Sequence, residues 1–239
     1  MKVLYNEETI YKYDELSDQA KQKVVDDIVE LDYFSFTKNG RSLAEEELIN
    51  IGQELLNDSA FKHATITGAY GDFSYSQGSG AVISFEYNDD DFFLDFPDIN
   101  EKILENFNSA NKYINDYNLT EEEIQETKNI LHRDLSQEVE VEFKVYQTGR
   151  YANYDIDWEI YCSADQDIRY CIQDMVEDWI YENLVKDRRL VDNLESSFSN
   201  AGYKWYEKLN DINNYNNDSF PEQYFYEDGK FAYWEEELE

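Results

Sequence analysis

The sequence predicts an α+β fold in which a small antiparallel sheet of four to five strands packs against several helices. Three observations point there. Residues 61–67 and 81–87 read as strands, and 138–161 alternates apolar and polar positions in the period-two manner of a strand pair. Amphipathic helix-length segments flank both stretches, in the order αα, ββ, αα, ββ, αα. Ser42/Glu45 and Thr120/Glu123 have the spacing of capping boxes, in which each end of the motif satisfies a free backbone N–H of the other. With 239 residues, 41% of them hydrophobic, and 14 Phe, 21 Tyr and 4 Trp, the chain can bury a sizeable core. One compact domain over 1–239 is expected; two closely packed halves, 1–135 and 136–239, are the alternative.

Taken in order, Thr9 to Tyr13 reads as a short strand or extended arm. Ser17 then caps a helix to about Phe34, with Ala20, Val24, Ile28 and Leu31 as its buried stripe. Asn39-Gly40 is a turn. The Ser42 box starts a helix to about Leu56, with Ala44, Leu48, Ile51 and Leu55 inward. Phe61 to Thr67 and Ala81 to Tyr87 read as paired strands, joined by the glycine- and serine-rich stretch Gly68 to Gly80. Asn88 to Asp98 is an acidic loop holding Phe92, Phe93, Leu94 and Phe96. Pro97 marks the start of a helix to about Tyr117. The Thr120 box opens another to about Leu135, with Leu119 and Ile124 placed as a hydrophobic staple. Helices over Asp167 to Leu184 and Arg188 to Ile212 follow the second strand pair, with a break or kink near Lys186 to Arg189. Phe220 to Tyr233 reads as extended, and Glu235 to Glu239 as an acidic tail.

The second strand pair carries the strongest signal. Val139, Val141, Phe143 and Val145 alternate with Glu138, Glu140, Glu142 and Lys144. After a turn near Thr148 to Asn153, Ile156, Trp158 and Ile160 alternate with Asp155, Asp157 and Glu159. The wet face of this hairpin therefore holds six acids and one lysine. Like charges directly opposite each other weaken a sheet, by up to roughly 1 kcal/mol per pair. On this reading the fold gains nothing from the arrangement. The six acids are the candidate partner-binding residues. Secondary acidic patches lie at Asp89, Asp90 and Asp91, at Glu121 and Glu122, and at Asp174, Glu177 and Asp178.

The chain has 54 acids against 20 bases, a net charge of −34. Duplex DNA carries one charge per 1.7 Å of axis, so this equals the charge of about 17 base pairs. Such a chain is repelled by nucleic acid and attracted to basic partners. The first thirteen residues are polar and no run approaches 18 apolar residues, so a soluble protein is expected, without a signal peptide or membrane span. Cys162 and Cys171 are expected as two reduced, partly buried thiols, with a disulfide as the alternative.

No cofactor, metal or enzymatic activity is expected. His63 and His132 are far apart and read as surface or strand residues. The acidic run Asn88 to Asp95 lacks the glycine and bidentate glutamate of a calcium loop. Gly78-Ser79-Gly80 lacks the following Lys-Ser/Thr of a phosphate loop and leads into a strand. Asp165 and Asp167 suit a helix N-terminus. No serine or cysteine has a visible base partner.

Three segments carry a resemblance: Tyr11-Lys12-Tyr13-Asp14-Glu15-Leu16-Ser17-Asp18-Gln19-Ala20-Lys21, Phe73-Ser74-Tyr75-Ser76-Gln77-Gly78-Ser79-Gly80-Ala81, and Tyr224-Phe225-Tyr226-Glu227-Asp228-Gly229-Lys230. Together they look like acidic proteins encoded by bacterial phages and prophages, largely without assigned function. Ser79 stands where the family usually has Asp after Ser-Gln-Gly. The resemblance implies a phage origin and, with it, the host bacterial cytoplasm and an anti-defence role, since phages use acidic proteins to occupy nucleic-acid clefts of host enzymes. The expected partner is the basic cleft of a host nucleic-acid-binding defence protein, such as a restriction or CRISPR-type nuclease. A blocker of complex assembly that does not mimic nucleic acid is the alternative. Oligomeric state is left open.

Overall fold

The computed structural model describes residues 3–5, 8–30, 42–73, 79–87, 91–109, 112–133, 135–149, 152–220 and 223–234. The fold is α+β, with helices packed on a four-stranded antiparallel sheet. The chain divides into two compact units, one formed by 1–47 with 201–239 and the other by 48–200. A boundary at 135/136 would instead cut through the second unit, separating strands that pair with one another.

The first unit joins the two ends of the chain. Strands β1 (Val3–Tyr5) and β2 (Glu8–Ile10) form a hairpin, and β7 (Gln223–Phe225) pairs with β8 (Phe231–Trp234). Tyr11 and Phe225 exchange two backbone hydrogen bonds of 2.9 Å. Helix α1 (Asp18–Ile28) starts where Ser17 accepts the Ala20 N–H, and it buries Ala20, Val24 and Val25. These pack with Tyr13, Leu16, Phe220 and Phe225 in one cluster. Gly229 takes φ +85°, and a Cβ there would lie 2.4 Å from the Ala20 carbonyl oxygen, so backbone meets backbone. Two of the segments that carry the resemblance thus pack against each other. The expected continuation of α1 from residue 31 to Phe34 lies outside the described residues, as does the turn at Asn39-Gly40.

The second unit holds the sheet, in the order β3 (Thr65–Asp72), β4 (Gly80–Glu86), β5 (Val139–Gln147), β6 (Tyr154–Cys162). The first strand begins four residues later than the alternation suggests and runs on through Gly68 and Gly71. Phe61 to Ala64 turn instead, with Phe61 and Ala64 buried. Glycine is admitted because a Cβ at Gly71 would stand 2.8 Å from Leu48 and 2.7 Å from the Phe73 ring. Helix α2 (Leu43–Asn57) opens with the Ser42 hydroxyl accepting the Glu45 N–H, and the division between the units falls within it.

Helices fill the inner side of the sheet. The expected acidic loop contains a short helix, α3 (Asp91–Asp95), whose phenylalanines enter the core. Phe92 meets the rings of Tyr87, Phe96 and Phe143 at 5.3, 4.9 and 5.8 Å. Of the helix expected over 98–117, the described residues hold α4 (Ile99–Ser109) and α5 (Lys112–Asp116), and residues 110 and 111 lie outside the described ones. Helix α6 (Glu121–His132) has the complete Thr120/Glu123 capping box and ends three residues before Leu135. Helix α7 (Gln166–Ile180) lays Ile168, Cys171, Ile172, Met175 and Val176 inward. It widens into a π-helical turn, Tyr181–Lys186, before α8 (Arg189–Leu209). The expected break near Lys186 to Arg189 is thus a π turn followed by a new helix. Both cysteines are free, with Cys171 buried. Among the described residues, no helix is long and apolar enough to cross a membrane.

Candidate functional site

Strands β5 and β6 pair along nine residues each, from Val139 with Cys162 to Gln147 with Tyr154. Val139, Val141, Phe143 and Val145 are buried, which turns the alternate residues to the other face. That face carries Glu140, Glu142, Lys144 and Tyr146 from β5, and Asp155, Asp157, Glu159 and Tyr161 from β6. Glu86 joins it from β4, in register with Lys144. The register pairs Glu140 with Tyr161, Glu142 with Glu159, Lys144 with Asp157, and Tyr146 with Asp155. Five of the six hairpin acids therefore share one ladder. Glu138 lies just before β5, and its carboxylate accepts a hydrogen bond from the Ser163 hydroxyl at the base of the hairpin.

Local bonds occupy most of these acids. Glu142 takes the Lys144 ammonium at 3.1 Å, and this contact raises the lysine above its ordinary pKa. Asp155 accepts the Ile156 N–H at 2.9 Å, and Asp157 the Trp158 N–H at 3.0 Å. Glu159 accepts the Tyr161 hydroxyl, which pushes that phenol up to about 12. Glu140 alone of the six has no side-chain partner among the described residues. Only Glu142 and Glu159 form a directly opposed like-charged pair. The expectation that the fold gains nothing from the acids is corrected here. Strand β6 is the edge of its sheet, and two aspartates cover backbone donors that an edge leaves open.

The face also holds what charge counting overlooked. Tyr146 and Tyr161, opposite Asp155 and Glu140, are 41% and 47% exposed. The alternation contained them, since both sit on the polar parity of their strands. Exposed aromatic residues beside carboxylates give the surface apolar contact area as well as charge.

The secondary patches do not form one surface with the hairpin face through any contact described. Asp89 and Asp90 lie outside the described residues. Asp91 opens α3 and is half-buried. Glu121 and Glu122 are exposed in the first turn of α6, where carboxylates suit the helix dipole. Asp178 accepts the Tyr113 hydroxyl at 2.6 Å and the Lys112 ammonium at 3.0 Å. Burial alone would push its carboxyl up, but these donors hold it below the ordinary range. Asp174 accepts the Tyr117 hydroxyl, whereas Glu177 is exposed.

One polar cluster was not legible in the spacing. Asp95 accepts the His63 backbone N–H at 2.9 Å and the Tyr87 hydroxyl at 2.7 Å, and its other oxygen lies 2.7 Å from His63 Nδ1. The three residues come from a turn, a strand end and a short helix, so no sequence motif joins them. The carboxylate pins the 61–63 turn onto α3. Phe92, Phe93 and Phe96 are buried, leaving Leu94, at 57% exposed, as the apolar residue this segment presents outward. Among the described residues, no group of three or more His, Cys, Asp or Glu side chains is placed to hold a metal ion.

Comparison with known proteins adds no relative: no family model, curated protein or solved structure matches the chain.

Proposed function

We propose that this chain is a phage-encoded anti-defence inhibitor that acts without catalysis, as a DNA or anion mimic. It occupies the basic nucleic-acid cleft of a restriction or CRISPR-type nuclease in the host bacterial cytoplasm. The observation that carries the reading is the outer ladder of β5 and β6, where Glu140, Glu142, Asp155, Asp157 and Glu159 stand on a paired scaffold backed by core. Carboxylates on one strand repeat at about 6.7 Å, since alternate residues share a face. The net charge of −34 supplies a field that steers a basic cleft toward this surface.

Magnitudes show what the ladder can contribute. Solvent-exposed ion pairs are worth about 0.2–1 kcal/mol each, so five contacts give roughly 1–5 kcal/mol. Micromolar affinity needs about 8 kcal/mol. The acids therefore set rate and register, and tight binding needs either a desolvating cleft or added apolar contact. Tyr146 and Tyr161 favour the second reading, an acidic interaction protein that blocks assembly of a host complex without mimicking nucleic acid. Tyrosine is enriched in protein–protein interfaces.

The test is capture of partners from host lysate at about 0.05 and 0.5 M salt, with duplex DNA as competitor. The variant combines Glu140→Lys, Glu142→Lys and Glu159→Lys with Asp157→Asn, which keeps an acceptor for the Trp158 N–H. Under mimicry the native chain retains a nucleic-acid-binding protein at low salt, DNA displaces it, and the folded variant loses it. A partner that survives high salt, ignores DNA and depends on the tyrosines selects the second reading. Undiminished capture by the folded variant removes the ladder as the contact surface.

A further inference from the structure

A groove of 570 Å³ opens in the first unit, between the start of α2 and the last turns of α8. Trp205 and Leu209 of α8 and Tyr215 beyond it form its apolar wall, and all three are half-buried, so each keeps surface for a ligand. Their inner sides are supported. Leu209 and Tyr215 pack against the cluster that holds Tyr13 and Phe220, and the Tyr215 and Phe220 rings stack 5.9 Å apart. The wall is also fixed before any ligand arrives. The end of α8 leaves carbonyls without helical partners, and the loop that follows takes them up. Asn214 Nδ2 donates to the Lys208 carbonyl at 2.6 Å, and the Tyr215 hydroxyl donates to the Leu209 carbonyl at 2.8 Å. A site held in shape in this way loses less of its binding energy to ordering side chains.

Two opposite charges stand in the lining, Glu47 from α2 and Lys208 from α8. Both are exposed, and among the described residues neither side chain makes an ion pair or hydrogen bond, with the other or with a third group. Lys112, Lys144 and Lys186, by contrast, each sit on a carboxylate. Asn214 adds an acceptor, because its Nδ2 is used on the helix end and its Oδ1 has no partner among the described residues. These groups select by charge. A cation in the groove gains Glu47 and is opposed by Lys208. An anion gains Lys208, is opposed by Glu47 and must approach a chain of net charge −34. A ligand that carries both charges meets both partners, and its zero net charge makes it indifferent to that field. The volume suits a small molecule, and an aromatic or branched body matches the wall of Trp205, Leu209 and Tyr215.

We propose that this groove binds a free α-amino acid with an aromatic or branched apolar side chain. The ammonium meets Glu47 and Asn214 Oδ1, the carboxylate meets Lys208, and the side chain packs on the apolar wall. The site shares no residue with the β5–β6 ladder and does not depend on the reading of that face.

The probe is L-phenylalanine, titrated into the full chain and followed by the indole N–H resonances, with Trp205→Phe to assign the Trp205 signal. Phenethylamine, which lacks the carboxylate, and 3-phenylpropionate, which lacks the ammonium, are the controls. The expected result is saturable one-to-one binding that shifts the Trp205 resonance, with each control weaker by about two- to fivefold, the worth of one solvent-exposed charge contact. Lys208→Met brings phenylalanine down to the level of phenethylamine and does not weaken phenethylamine itself. Glu47→Gln does the same with respect to 3-phenylpropionate. Both substitutions are at exposed positions, and the melting temperature confirms that the variants are folded. Absence of saturable binding, an unmoved Trp205 resonance, a control that binds as well as phenylalanine, or unchanged phenylalanine affinity in either variant would each overturn the proposal.

Discussion

Glu195 is the residue most at odds with its surroundings. It sits on α8, 7% exposed, with one carboxylate oxygen accepting the Ile83 N–H at 3.2 Å and the other without a partner. Burial pushes this carboxyl up to about 8. An unfolded glutamate titrates near 4.3, so between about pH 4.5 and 8 the folded chain holds a proton that the unfolded chain has released. The stabilisation from the neutral carboxyl is complete at the acid end of that window and is lost as pH rises through it. Glu195→Gln keeps an acceptor for Ile83 and removes the titration. Urea melts at pH 5 and pH 9 check this. The variant should match the native chain at pH 5 and exceed it at pH 9 by about 1–3 kcal/mol, the range for an unmet buried polar group. An equal pH response in both proteins would refute the buried-acid account. Nothing in the spacing of α8 marks Glu195, because its burial comes from β4, more than a hundred residues earlier.

At the scale of elements, β4 and β6 show how open sheet edges are handled. Strand β5 reaches β4 only near Phe85 and Glu86, which leaves the Ala81 and Ile83 N–H groups to side chains of α8. Ser199 and Glu195 accept them at 3.3 and 3.2 Å. On β6, Asp155 and Asp157 accept the next residue's N–H, and Gln173 of α7 donates to the Ile160 carbonyl at 2.6 Å. An uncovered edge is a template for another strand. Asp155→Ala with Asp157→Ala should therefore make the chain self-associate with concentration, measured by size exclusion with light scattering. Asp155→Asn with Asp157→Asn keeps the acceptors and should remain at the native oligomeric state. Equal behaviour of the two pairs would mean that charge, and not the capping bond, protects the edge. Both hairpin strands were legible because alternation is local. The covered edge was not, since no pattern in β6 reveals which of its sides lacks a neighbour.

For the whole molecule, the charge of −34 is a stability term as well as a steering field. Screening shortens from about 30 Å at 0.01 M salt to about 3 Å at 1 M. Relief of 1 kcal/mol raises the melting temperature of a chain this size by about 2–4 °C. Scanning calorimetry should show a rise of about 4 °C or more between 0.01 and 1 M sodium chloride. A flat or falling value would mean that local pairs such as Lys112–Asp178 and Lys186–Glu182 outweigh the general repulsion.

The sequence alone determined the α+β class, the hairpin of β5 and β6, the Thr120 cap and the acidic parity of the outer face. Each depends on residues within a few positions of one another, where sterics and hydrogen bonding act directly. Tertiary structure decided that α3 sends its phenylalanines inward, and that the two chain ends share one core. It also decided that Glu195 is buried and that Asp95 gathers His63 and Tyr87. Those outcomes depend on which surfaces meet, and burial and desolvation belong to the meeting and not to either segment alone.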